Sequence, residues 1–318
     1  MMMMKSCIQA ALMAAVLPGV FSHQAGAAEV SAAPEVRREQ SVLPFFRELA
    51  EGYELPEPFG VNLNYMQIRQ GISVDSIRFS GLHLGRLPLD NIVHIDAGKT
   101  RQKSHTGTLR FDAWVFPFMN LYGLLGKTTG QSVSDIRVRT PLFTGGAFPG
   151  AGTQNLKFRL DFQGTTYGVG TTLVGGMNNW FTSLDANYTQ TRFDILDGHI
   201  DTVTFSPRVG YYFDVPSVPV LQSSAGRMSV WVGGMYQDVE QRFRGKLNDL
   251  NMPSPALQAG LSQLNKTGDA RFDVRQHLKK PWNMLAGIRY DPSRHFSLIA
   301  EAGFEKRKSF FVSGEYRF

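Results

Sequence analysis

Few residues in this sequence could do chemistry, and they are scattered. In Asp197-Gly-His199 a carboxylate stands two positions before an imidazole, a pairing that can tune a histidine for proton transfer. His94 and Asp96 share one parity of a strand-like segment, with Ser104 further along the chain. A serine nucleophile needs a base against its hydroxyl, and spacing alone does not put one there, so hydrogen bonding in an enclosed interior is the expected role. His105, His199, His277 and His295 are well separated and form no paired-histidine motif, so no metal site is expected. The stretch FTGGAFPGAG, 143–152, is glycine-rich but lacks the Lys-Ser/Thr that completes a phosphate cradle, and it reads as an external loop. Cys7 is the single cysteine. No cofactor is expected.

The N-terminus explains where that cysteine goes. Lys5 precedes an apolar run from Ile8 to Phe21, and Ala25-Gly26-Ala27 is a small-x-small cleavage site. Residues 1–27 read as an export signal, which leaves a chain without cysteine and excludes disulfides, thiol catalysis and cysteine-based metal sites. The formal charge falls from +6 to +5, because Lys5 leaves and no acid leaves with it. That mild excess is not the dense patch of a nucleic-acid binder. No apolar run is long enough for a membrane helix. Charged residues make up only 19%, while glycine (32 residues) and aromatics (12%) are abundant, a balance that suits strands facing lipid.

The elements follow from alternation, since side chains on a strand point to opposite faces at each step. The segment SFFVSGEYRF puts Phe310, Val312, Gly314, Tyr316 and Phe318 on one face and Ser313, Glu315 and Arg317 on the other. FSLIAEAGF, NMLAGIRY, TLRFDAWV, LKFRLDFQ and DTVTFSPRVGYYF repeat the pattern. Charges in strand after strand fall on one parity. A soluble sandwich fills its enclosed face with apolar side chains, whereas a membrane barrel sends the apolar face to lipid. The expected fold is all-β: a transmembrane antiparallel up-and-down barrel over 59–318, with 28–58 as a periplasmic or plug segment. Twelve strands are expected, at 59–70, 74–83, 91–100, 108–117, 121–138, 156–175, 180–194, 201–213, 227–243, 281–291, 295–305 and 309–318. GISVDS, between the first two, reads as a turn or a bulge. Aromatics beside the turns, including Phe59, Trp114, Tyr122, Trp180, Phe181, Tyr211, Tyr212, Phe296 and Phe318, suggest an interfacial girdle.

The final strand resembles the C-terminal signal of Gram-negative outer-membrane barrels, with Phe310, Val312, Tyr316 and Phe318 as its apolar and aromatic positions. The resemblance implies an outer-membrane location, recognition by the barrel-assembly machinery, and contact with outer-membrane lipid and lipopolysaccharide. Asp197 and His199 resemble half of an omptin-type protease site, but the second pair of aspartates is missing; the His-x-Ser-Asn-Gly run of an outer-membrane phospholipase is missing too. Uniform parity assigns Arg78, Arg110, Asp112, Lys157, Arg159, Asp161, Asp185, Arg208, Arg289, Glu301 and Glu315 to the lumen. That slightly basic set leads to a narrow channel or small-solute transporter, with a small anion as cargo and no nucleic-acid partner. An enzyme acting on lipid or lipopolysaccharide, or a structural or adhesive barrel, is the alternative.

Overall fold

The computed structural model describes residues 43–50, 55–81, 83–84, 87–88, 94–140, 152–194, 197–215, 226–247, 265 and 268–318. The expected export signal at 1–27, residues 28–42 and most of the glycine-rich loop lie outside the described residues. After one turn of 3-10 helix at Arg47–Ala50, the elements are strands: β1 (Phe59–Ser80), β2 (His83–Leu84), β3 (Leu87–Pro88), β4 (His94–Phe116), β5 (Met119–Thr140), β6 (Gly152–Met177), β7 (Trp180–Phe193), β8 (Asp197–Val215), β9 (Gly226–Lys246), β10 (Arg271–Leu278), β11 (Trp282–Asp291), β12 (Phe296–Phe304) and β13 (Lys308–Arg317).

Apart from the small β2–β3 hairpin, these strands form one antiparallel sheet of eleven, closed on itself. β1 completes the ring by pairing with β4 from Phe59↔Ala113 to Ile72↔Thr100 and with β13 from Gly60↔Arg317 to Arg69↔Lys308. Beyond Ile72, β1 pairs with β10 instead, from Ile72↔Leu278 to Ser80↔Arg271. β9 pairs with β11 over Arg227–Tyr236 and with β10 over Glu240–Lys246. The short β12–β13 hairpin is therefore a wedge in one half of the wall, and β10 closes the other half directly onto β1. The barrel has fewer strands at that end and narrows there.

The expected fold class is observed, with fewer and longer strands than the twelve segments suggested. Segments 59–70 and 74–83 are one strand, β1, and GISVDS is a bulge between Val74 and Ser76. Segments 91–100 and 108–117 are likewise one strand, β4. The intervening residues are polar on the outside because the strand has left the lipid, not because the chain turns. β10, between the expected strands 227–243 and 281–291, puts Phe272 and Val274 on one face and Arg271, Asp273 and Arg275 on the other.

The wall has two zones. In one, exposed side chains are apolar: Leu63, Leu109, Phe111, Leu121, Leu125, Val169, Val203, Val209, Val230, Val232, Met284, Ile288, Leu298 and Phe310. Behind them Asn62, Asp112, Asn120, Ser206, Ser229, Glu301, Glu315 and Arg317 are buried. Polar inside and apolar outside is the signature of a wall in lipid. β12, nine residues long, spans roughly 30 Å along its axis, or about 25 Å of height once tilted. In the other zone the rule reverses. Ile72, Leu160, Phe162, Ile200, Val239, Phe243, Phe272 and Val274 form a buried apolar cluster, while Lys157, Arg159 and Asp161 are exposed. β6, with 26 residues, runs through both zones. The molecule is a membrane barrel continued into a water-facing head with an ordinary hydrophobic core.

Candidate functional site

The barrel interior is the site to examine, and contacts between strands that are not neighbours define it. Arg317 on β13 reaches past β1 to Asp112 on β4, Nη2 to Oδ1 at 2.9 Å. Asn62 and Asn120 donate to the other sides of that carboxylate at 2.7 and 2.6 Å. Arg110 donates to Asn120 at 2.9 Å and lies 3.7 Å over the Tyr122 ring. Arg317 also holds Glu315 at 3.2 Å, and Glu315 holds Arg289 at 3.1 Å. Further round the wall, Arg208 grips Glu301 at 2.6 and 3.0 Å, and the Trp231 indole donates to Glu301 at 2.7 Å. The Tyr122 hydroxyl donates to Asp185 at 3.0 Å, with Thr172 and Asn187 also donating to that carboxylate.

The local backbone permits these approaches. Gly287 on β11 lies under the Trp231 ring, where a Cβ would come within 2.3 Å of the indole. Alanine there should push Trp231 away from Glu301 and destabilise the barrel by about 1–3 kcal/mol, as overpacking does. Urea unfolding in detergent, read with the change in tryptophan emission, checks this.

Seven residues expected in the lumen thus lie on the inner face: Arg110, Asp112, Asp185, Arg208, Arg289, Glu301 and Glu315. Four do not, and they are corrections. Arg78 follows the bulge at Val74–Ser76, which inverts parity; it is exposed and stands opposite Asp273 on the outside of the head. Lys157, Arg159 and Asp161 lie on the head portion of β6, where apolar residues turn inward; Arg159 and Asp161 pair with each other at 3.0 Å in solvent. Without these four, the buried and half-buried charges of the described inner face are Arg110, Arg208, Arg289, Arg307 and Arg317 against Asp112, Asp185, Asp291, Glu301 and Glu315. That set is balanced, so the basic excess read from the sequence is absent from it. Trp114, Tyr122, Phe181 and Tyr212, expected in the girdle, also turn inward, and Tyr122 is buried.

Along the axis the interior changes character in steps. Next to the charges comes a neutral belt. Thr106, Thr128, Thr166 and Thr191 pass hydroxyl bonds across β4, β5, β6 and β7 at 2.9, 2.6 and 2.8 Å. Gln102 on β4 accepts a bond from Gln241 on β9 at 2.8 Å, straight across the narrow part of the ring. Gln70, Gln241, Gln276 and Ser132 each keep a buried side-chain oxygen without a protein partner. Beyond that belt is the aromatic plug, where Phe193 stacks on Phe243 and Phe162 lies tilted against both, with ring centroids 4.9–5.8 Å apart. At the opposite end, Phe45 and Phe46 of the segment before β1 pack against Phe116, and the Phe45 amide donates to Val115 O.

The side chain of His94 lies outside the described residues, and the other loop and wall histidines stand apart from one another. His199 contacts Asp201 at 3.1 Å, His277 contacts Asp75 at 2.6 Å, and His105 contacts the Tyr65 hydroxyl at 2.7 Å. All three lie on the outer face of the wall. No cluster able to hold a metal occurs among the described residues.

The sequence matches no family model and no curated protein. The fold is similar to solved barrels. The β-domain of the Bordetella autotransporter BrkA is 11% identical over 83% of this chain and 100% of its own, with a TM-score of 0.37. OprG from Pseudomonas aeruginosa is 11% identical over 83% and 98%, at 0.30. The transport unit of AIDA-I from Escherichia coli is 11% identical over 86% and 94%, also at 0.30. Likeness this loose carries no argument about cargo or partners. The assignment rests on the wall itself: this chain is a β-barrel of the outer-membrane type.

Proposed function

We propose that this outer-membrane barrel is a narrow small-solute channel that rests closed. The observation that carries the reading is the graded interior. Its charged section touches water, with the side chains of Arg110, Arg208 and Arg289 24%, 19% and 30% exposed. It then meets a single hydrogen bond across the ring at Gln102–Gln241, backed by the apolar cluster around Phe243. Apolar constrictions gate by excluding water. The unpartnered oxygens of Gln70, Gln241 and Gln276 beside the constriction supply the polar lining a hydrated path needs. With balanced charges, all but Arg307 held by a group of opposite sign or a hydrogen-bonded side chain, only weak selectivity between anions and cations is expected.

Single-channel recording of the refolded protein tests the reading. The native protein should be mostly silent, with rare openings. Gln102→Ser, Gln241→Ser and Phe243→Ala together should lengthen those openings or hold the path open. Silence in both forms would favour a second reading, a non-conducting barrel that displays its head above the membrane. The head itself supports that alternative, because its apolar core is packed like that of a soluble domain.

The assembly role of the last strand belongs to the same proposal. Phe310 and Tyr316 face outward and are half exposed, as is Phe318, so the apolar stripe is open to the assembly machinery. Removing Phe318 also removes its backbone pairing with Phe59 and its ring contact at 6.1 Å. The truncated chain should accumulate in the periplasm; normal heat-modifiable, membrane-inserted protein would count against the signal.

A further inference from the structure

A row of cations crosses the outside of the wall where the apolar band ends. Arg69 on β1 stands directly opposite Lys308 on β13 and Lys103 on β4. All three are exposed on the outer face. Lys279 joins them, since its amide is bonded to Gly71 O, and Arg101 lies opposite that same Gly71. Directly opposed like charges on paired strands lie about 5 Å apart and repel, so the row is unfavourable for the fold taken alone. On the head some cations are matched, Arg242 and Arg244 by Asp273 and Lys127 by Asp194; like charges also face each other there at Arg271↔Lys246 and Arg275↔Arg242, but away from the edge of the apolar band. Glu305, at the tip of the β12–β13 hairpin, is taken by Lys306 at 2.8 Å. Among the described residues Arg69, Lys103, Lys308 and Lys279 have no carboxylate within 4.0 Å.

Towards the middle of the membrane from this row, the outer wall is hollowed. A depression of about 500 Å³ runs across β1, β13, β12 and β11, with Ala300, Val312 and Gly314 forming its floor and Tyr65, Ile288 and Leu298 among its walls. One exterior row, Gln67 beside Phe310 and His105, separates the hollow from the cations. The row marks the end of the band opposite the short turns β4–β5 and β6–β7. Short turns belong to the periplasmic side, so the cations sit at the level of the outer-leaflet headgroups.

We propose that this surface is a seat for lipopolysaccharide. The phosphates of its lipid A would lie against Arg69, Lys103, Lys308 and Lys279, with an acyl chain in the hollow below. The inference rests on the membrane embedding of the wall and is independent of the closed-channel reading. The like-charge row then has a reason: what it costs the empty barrel is returned when a polyanion bridges the strands.

The test uses the refolded mature chain in neutral detergent, titrated with lipid A, dephosphorylated lipid A and phosphatidylglycerol, with occupancy read by native mass spectrometry. Lipid A should bind the native protein most tightly. The triple variant Arg69→Gln, Lys103→Gln, Lys308→Gln should bind it roughly tenfold to a hundredfold less tightly, since each cation near a lipid surface contributes about a factor of five. In lipid-free detergent the same variant should unfold at an equal or higher temperature, which a merely structural role would not produce. Val312→Trp, which fills the hollow and keeps every charge, should also weaken binding. Equal affinity for the three lipids would overturn the proposal. So would unchanged lipid A binding in the triple variant, or in Val312→Trp.

Discussion

Replacing Asp112 by alanine should destabilise the barrel by about 3–5 kcal/mol, the usual cost of leaving a buried charge without its partner. The side chain of Asp112 is completely buried, and that of Arg317 is 5% exposed. Asp112 takes bonds from Arg317, Asn62 and Asn120, and Arg110 lies within 3.8 Å. Alanine removes one of the two carboxylates that hold Arg317, leaving it Glu315, and orphans two amides in the same step. Asparagine keeps a hydrogen-bonding oxygen and should recover part of the loss. Arg317→Met in the Asp112→Ala background should recover more, because an apolar pair of similar volume carries no unpaired charge. Urea titration in detergent, read by tryptophan emission, ranks the three variants. Equal stability of Asp112→Ala and the native protein would mean that water, not Asp112, solvates Arg317. The interior would then be wider and wetter than the bonds across it indicate.

The sequence showed the barrel plainly because alternation is a property of the strand, and it survives wherever one face meets a uniform medium. β11, β12 and β13 lie wholly within the lipid zone, and their boundaries fall within a residue or two of the expected ones. The interior was legible on the same strands: Arg289, Glu301 and Glu315 have apolar neighbours on both sides. What misled was the assumption of one medium. On β6, Leu156, Phe158, Leu160 and Phe162 alternate with Lys157, Arg159 and Asp161 as cleanly as any lipid-facing run. Alternation says that the two faces differ, not which of them is wet. Only closure of the barrel around Phe243 and Phe272 identifies the apolar face of that stretch as a core. Arg78 was lost differently, through a one-residue bulge that reverses every later side chain on β1. The crossing contacts, Arg208–Glu301 and Gln102–Gln241, had no local signal, because they join residues 93 and 139 positions apart.

Charge scanning along β6 makes that two-medium picture measurable. Val169 is 64% exposed in the lipid zone, and Val169→Arg should cost about 2–4 kcal/mol near mid-membrane depth. Gln163 occupies the same outward parity six residues earlier, among Arg159, Asp161 and Thr165 on the head. There Gln163→Arg should change stability by no more than about 0.5 kcal/mol, as expected of an open surface. Phe162, its immediate neighbour, is 5% exposed and packed on Phe193 and Phe243. Phe162→Arg would bury a charge among apolar rings and should cost several kcal/mol, enough to prevent recovery of folded barrel. A barrel with lipid along the whole of β6 predicts the opposite order: an arginine tolerated at 162, facing a wet lumen, and a heavy penalty at 163. Reversible unfolding in lipid vesicles, with heat-modifiable mobility as the test of folding, separates the two. The height along β6 at which the penalty disappears would mark the outer edge of the membrane, and it should coincide with the level of Arg69, Lys103 and Lys308.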